Sequence, residues 1–202
     1  MKSLKIIAFV LITAFLIFQI YISMSTNNSE TQSYKLIRSE DKFETRHYPS
    51  AIMARINSNF RTYKELGRNG FGKLANYIFG GNNEKKQIAM TSPVHMGIND
   101  SVSSMSFVMP SRFDMGNLPR PNNTDIILET SEPEFVAAIR FGGFPSTNKI
   151  NEKIEELRGL LEEKGLKYHG HFRYLGYNPP YQLFGRRNEV IVSLEANQFK
   201  EN

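Results

Sequence analysis

At 202 residues, 40% of them hydrophobic and including 15 Phe and 9 Tyr, the chain can bury one sizeable core or two small fused halves, which excludes a disordered protein. It has no cysteine, so disulfides, thiolate metal sites, cysteine nucleophiles and thiol-linked cofactors are excluded. Net charge is +5, and setting aside Lys2 and Lys5 takes the 25 basic side chains to 23 against 20 acidic ones; that mild, mixed surface gives no sign of nucleic-acid binding.

Residues 1–25 read as a targeting element. Lys2 and Lys5 precede residues 6–22, an uncharged run with only Thr13 and Gln19 as polar interruptions. Seventeen residues as a helix span about 26 Å, near the lower limit for crossing a bilayer. The run has no polar face, which speaks against a buried core helix. We therefore expect a membrane anchor through residues 6–22, with the lysines holding its start in the cytoplasm and the globular part outside, on the periplasmic face if the organism is a Gram-negative bacterium. The alternative is a signal cleaved at the poor site Ser23-Met24-Ser25, giving a secreted form. Residues 26–33 (TNNSETQS) read as a polar linker.

The globular part, residues 34–196, carries one pattern twice. Residues 43–48 and 51–57 alternate as half-buried strands, broken by Pro49-Ser50. Phe60, Tyr63, Gly67, Phe71, Leu74, Ala75 and Ile78 then recur at helical spacing, with Ser58 or Asn59 as N-cap and Gly80-Gly81 as the stop. Residues 85–98 and 104–109 read as two more strands, and 112–123 as the connection between halves. Residues 125–128 and 135–141 are strand-like; Pro145-Ser146-Thr147 opens a second helix with Ile150, Ile154, Leu157, Leu160 and Leu161 inward, and Gly165 ends it. Strands around 167–175 and 189–194 close the chain. The expected fold is α+β: a twofold ββαββ pseudo-repeat forming a distorted antiparallel β-barrel flanked by two helices.

Residues 174–194 hold the densest chemistry. Asn178-Pro179-Pro180 can continue neither helix nor ladder, and Arg186-Arg187-Asn188-Glu189 presses charge against the apolar strand that follows. Either the cluster is a satisfied network that pins the last strand, or one arginine faces an anionic ligand. No phosphate loop, dinucleotide fingerprint or zincin helix is present, Ser92 lacks the glycine-flanked elbow of a hydrolase, and Glu155-Glu156 and Glu162-Glu163 fit a solvated helix face. No nucleophile–base pair is visible, so an enzyme is not expected. His169 and His171 lie two apart on a strand, an exposed face or a metal pair lacking a third ligand; His95 sits among Met90, Val94 and Met96 as a core-edge histidine. His47, between Arg46 and Tyr48 beside a strand break, is either a surface histidine or a neutral imidazole able to ligate haem iron, with Arg46 or Arg55 near the propionates.

IAMTSPV at 88–94, VMP at 108–110, GYNPP at 176–180 and RRNEV at 186–190 resemble, in order and spacing, the SOUL haem-binding family, and FETRHY at 43–48 resembles its opening strand. The resemblance implies a barrel of about eight strands with two helices, and non-covalent binding of haem or a related tetrapyrrole in a shallow apolar groove beside the first helix. It makes His47 the candidate iron ligand and Arg46, Arg55, Tyr63 and Lys64 candidate cofactor-binding residues. Gln182 and Leu183 depart from the pattern, standing where lysine and proline often occur, and the N-terminal anchor is an addition to it. The expected function is a membrane-tethered haem or tetrapyrrole carrier or buffer; the second reading is a non-enzymatic sensing or scaffold module of this fold that takes another hydrophobic ligand or a protein partner.

Overall fold

The computed structural model describes residues 2–99 and 102–199, without the side chain of Lys2. Its first helix, α1 (Lys2–Asn27), is the apolar N-terminal run. The first half continues with β1 (Lys35–Ser39), β2 (Glu44–Tyr48), β3 (Ile52–Ser58), α2 (Tyr63–Ile78), β4 (Val94–Gly97) and β5 (Ser103–Val108). The second half is β6 (Ile126–Thr130), β7 (Glu134–Phe141), α3 (Thr147–Glu163), β8 (Tyr168–Gly176) and β9 (Asn188–Leu194), followed by a 3-10 turn at Ala196–Phe199.

Local chemistry sets the helix ends. α2 starts at Thr62 rather than Ser58 or Asn59, because Thr62 is its N-cap: the Thr62 Oγ1 accepts from the Glu65 N–H at 3.2 Å and donates to Glu65 Oε2 at 3.0 Å. Ser146 caps α3 through the Lys149 N–H, and Gly165 ends it at a φ of +64°, as expected from sequence. The expected strand over 85–98 is cut back to β4. The buried Asn82 side chain holds the preceding turn instead, donating to the carbonyls of Tyr77 and Lys86 and accepting from the N–H groups of Glu84 and Lys86.

Among the described residues the nine strands form one antiparallel sheet in the order β1-β2-β7-β9-β8-β4-β5-β3-β6. The pattern ββαββ does occur twice, as β2-β3-α2-β4-β5 and β6-β7-α3-β8-β9. Exchanging the halves leaves the order from β2 to β6 unchanged, so a pseudo-dyad passes between the paired strands β4 and β8. The expected barrel does not close. Closure would require β2 to pair β6, but the free edge of β2 is taken by β1, an unforeseen strand whose residues are all exposed and give no alternation to read. α2 and α3 pack on one face, burying Leu66, Leu74 and Tyr77 with Ile150, Leu157 and Leu161. A smaller cluster of Tyr48, Val136, Ala138, Leu175, Tyr177 and Ile191 covers the other face. β9 contributes to both, which is why it reads as a continuous apolar run.

The RRNE cluster is structural. Glu189, fully buried, accepts from Arg46 through both carboxylate oxygens (2.7 and 3.1 Å), from Arg187 (2.8 and 3.0 Å) and from the Tyr177 hydroxyl (2.8 Å). Arg46 also donates to Glu44 and lies 4.3 Å over the Tyr34 ring. Burial pushes the Glu189 carboxyl up, but the Arg46 hydrogen bonds and charge outweigh it and hold the group below the usual carboxylate range. Asn188 donates to the carbonyls of Gly143 (2.8 Å) and Phe141 (3.4 Å), fixing the turn before α3.

The stretch 26–33, expected as a linker, is packed against the sheet. Gln32 and Glu30 exchange backbone hydrogen bonds with Ser92, and Gln32 Oε1 meets His95 Nε2 at 2.8 Å. His95 is buried with Nδ1 unpartnered, and burial, helped by the charge of Arg173, pulls its pKa down from 6.5 to about 3.

Two outcomes follow for stability. Glu189→Ala strands the buried Arg46 and the part-buried Arg187 and should cost about 3–5 kcal/mol, on the order of 10 °C in melting temperature for a chain of this size; an unchanged melt would refute the structural role. His95 binds a proton in the unfolded chain below pH 6.5 but in the folded chain only near 3, so it removes stability as pH falls from 6.5 towards 3. His95→Gln should therefore flatten the stability–pH profile between pH 6.5 and 5, above the window in which Glu189 protonates; denaturant titrations across that range check it.

Candidate functional site

α2 presents two adjacent faces. Leu66, Gly70, Leu74 and Tyr77 enter the core, while Tyr63, Lys64, Gly67, Arg68 and Phe71 turn toward a groove of about 800 Å³. The floor is the pseudo-dyad itself: Val94 and Met96 of β4, Tyr174 and Gly176 of β8, with Met105 of β5 beside them. Ser146, Thr147 and Ile150 at the start of α3 form the facing wall. Asn178 to Tyr181 and Arg186 make the rim, and Ser25, Thr26 and Ser29, at and just past the end of α1, close the remaining side. The helices diverge over two paired strands, and the space between them is the groove.

The lining is mainly apolar, with methionines that adapt to irregular ligand shapes. Gly67 matters to the volume: a Cβ there would meet Met96 Cε at an ordinary 3.5 Å, and anything larger would occupy the groove. Burial pushes the Tyr63 and Tyr174 hydroxyls up to about 12, so both phenols are neutral at physiological pH. Tyr174 donates to Asn188 Oδ1 at 2.7 Å, and its ring meets the Tyr63 ring edge-on at 5.8 Å. Three cations line the groove, Lys64, Arg68 and Arg186. Arg186 donates to the carbonyls of Pro179, Gln182 and Asn178 and lies 4.6 Å over the Phe144 ring, which makes it the clasp of the proline loop. Its Nε is buried without a partner, and burial draws its pKa below the ordinary value, against the opposing effect of Tyr174.

The sequence-predicted site residues divide. Tyr63 and Lys64 line the groove. Arg46 does not: it lies on the opposite face, held by Glu189. Arg55 on β3 pairs with Glu129 of β6 at 2.9 Å. His47 is half-buried opposite Phe135 in register, its ring 4.7 Å from that phenyl, and is not among the groove residues. His169 and His171 are exposed where the β8–β9 register shifts, so strand alternation does not pair them, and no three-ligand metal cluster occurs among the described residues. Sequence reasoning missed Arg68 as a groove cation and left Arg186 only as one of two arginines that could face an anionic ligand; it also merged the two faces of α2, whose separate spacings are 66-70-74-77 and 63-67-71.

Gln182 and Leu183 have a specific place. Gln182 is buried, accepting from Thr26 Oγ1 at 2.9 Å, and the Leu183 N–H donates to Gln19 Oε1 at 2.9 Å. Gln19 also donates to the Tyr181 carbonyl, and Phe18 packs near the Tyr181 ring. Both departures thus meet α1.

The family profile described as SOUL heme-binding protein matches residues 29–193. "Heme-binding protein 2" of Homo sapiens is 31% identical over 170 residues, covering 79% of this chain and 82% of that protein. "Heme-binding protein 1" of Xenopus laevis is 28% identical over 173 residues, covering 80% and 90%. Among solved structures, the EcmrR C-terminal domain superposes with a TM-score of 0.61 at 10% identity, covering 76% of this chain and 97% of that one, a likeness of fold alone.

Proposed function

Because the chain belongs to the SOUL haem-binding protein family, we propose that it binds haem or a related tetrapyrrole non-covalently in the groove between α2 and α3, as a membrane-tethered carrier or buffer. The observation that carries this reading is the groove itself: a wide apolar slot with Lys64 and Arg68 together on one wall. A flat macrocycle gains about 25 cal/mol per Å² of apolar surface buried there. Its acidic edge is drawn to the α2 wall, because the α3 wall offers only Ser146, Thr147 and Ile150. Haem would bring a redox-active iron; the chain's own residues bind and orient the ring. Among the described residues lining the groove there is no histidine, and the three buried tyrosines that line it, Tyr63, Tyr174 and Tyr177, are kept neutral by burial. Retention by apolar contact and salt bridges, without a protein–iron bond through imidazole, suits a protein that must release what it takes up.

The tether is supported by α1, whose Leu4 to Ile20 side chains are mostly exposed and which is long and apolar enough to cross a membrane. Cleavage near Ser25 would discard Gln19 and Ile22, which the folded domain buries, and this favours retention of the helix.

Haemin titration of the full chain in detergent should give a saturable one-to-one Soret shift. Gly67→Leu should weaken binding at least about tenfold without lowering the melting temperature, since leaving glycine gains up to about 1 kcal/mol in a helix; wild-type affinity in that variant would reject the groove. His47→Ala should leave the Soret position where it was. For the tether, the chain should stay with membranes through a carbonate wash, and mass spectrometry should find residues before Ser25 intact; a mature N-terminus at Thr26 would replace the anchor with a cleaved signal.

A further inference from the structure

The loop between β8 and β9 carries apolar surface that the fold leaves uncovered. Tyr181, Leu183 and Phe184 are 58%, 40% and 64% exposed, and Phe144, tied to the loop through Arg186, is 53% exposed. From Gly176 to Gly185 the chain has no charged residue. A water-facing loop has no reason to hold this composition, and a contiguous patch of this kind marks a binding surface. What covers it follows from α1. The domain grips that helix at Phe18 and Gln19, both against the same loop, and Ile22 further along it is buried. From Leu4 to Phe18 the helix supplies only about 22 Å, against a hydrocarbon core of about 30 Å. A helix held that close to its far end spans the bilayer only if the gripping loop sits at the membrane boundary.

We propose that Tyr181, Leu183, Phe184 and Phe144 form a lipid-contact surface that beds the domain into the near leaflet of the membrane crossed by α1. This rests on the anchor reading of α1. The residue types fit that depth, with aromatic rings at head-group level and Leu183 beneath them. Tyr181 and Phe79, 63% exposed, also line the groove, so the lipid-facing rim is the mouth of the groove. A tetrapyrrole dissolved in the leaflet then enters without crossing water.

The chain has no tryptophan, so single substitutions report depth without background. The full-length chain is reconstituted in phosphatidylcholine vesicles with bromine on the upper acyl carbons, as Phe184→Trp, Phe9→Trp within α1, or Met115→Trp on an exposed turn that lines neither the groove nor the loop. Bromine should quench and blue-shift the emission of Phe184→Trp and Phe9→Trp and leave Met115→Trp unquenched. Quenching of Phe9→Trp without Phe184→Trp overturns the surface while the anchor stands. No quenching of either overturns both. Equal quenching of Met115→Trp and Phe184→Trp shows nonspecific adsorption and also overturns the proposal.

Discussion

The carboxylate of Glu189 holds the architecture together. It is wholly desolvated, and it persists as an anion because two guanidinium groups and a phenol converge on it from β2, from the end of the proline loop and from β8's extension. A pair buried this deeply gains little over a hydrophobic replacement of the same shape, yet removal of one member is costly. Its effect is therefore positional. It sets the register of β9 between β7 and β8, and β9 opens with Asn188, which holds both the Tyr174 hydroxyl on the groove floor and the carbonyl of Gly143 ahead of α3. Two residues before Asn188, Arg186 clasps the proline loop. Floor, wall and rim of the groove are thus registered from one buried charge.

Much of this was legible in the sequence because it depends on local rules. The two helices announced themselves by apolar spacing, α3 by its Ser146 cap and Gly165 stop, and β9 by an apolar run too continuous for an edge strand. The structural role of Arg187-Asn188-Glu189 followed from the cost of charge beside a core strand. The illegible parts depend on partners distant in sequence. β1 is exposed throughout and pairs by backbone alone, so no periodicity marked it. His47 carried the expected motif, but strand alternation fixes only the face of a side chain; its place opposite Phe135 is decided by the pairing of β2 with β7. The 85–98 segment has strand-like composition and is overruled by four hydrogen bonds from the single side chain of Asn82.

The pseudo-dyad explains where the groove lies and why its two walls differ. Repeated ββαββ halves bring two helices to equivalent places beside the β4–β8 seam, and residues of both helices and both strands line the groove there. The halves are symmetric in backbone order but not in chemistry: α2 brings Lys64, Arg68 and the vacancy at Gly67, whereas α3 brings hydroxyls and Ile150. The same broken symmetry appears at the sheet edges. β1 covers the edge of β2 and leaves β6 as the other margin, and the exposed Lys35 and Arg38 on β1 discourage further strand pairing.

Gln182, Leu183 and α1, the three places where the sequence departs from the pattern it resembles, form one feature. The buried amide oxygen of Gln182 accepts from Thr26, just inside the end of α1. The Leu183 N–H, which a proline would lack, is the donor that reaches Gln19. A proline at 183 would remove that hydrogen bond, and a lysine at 182 would bury an ammonium group against the helix. Neither residue is compatible with α1 in its observed place, so the rim and the helix constrain one another. Among the described residues lining the groove the positive groups are Lys64, Arg68 and Arg186, so positive charge lies on α2 and at the inner end of the loop, and the outer end of the loop is apolar.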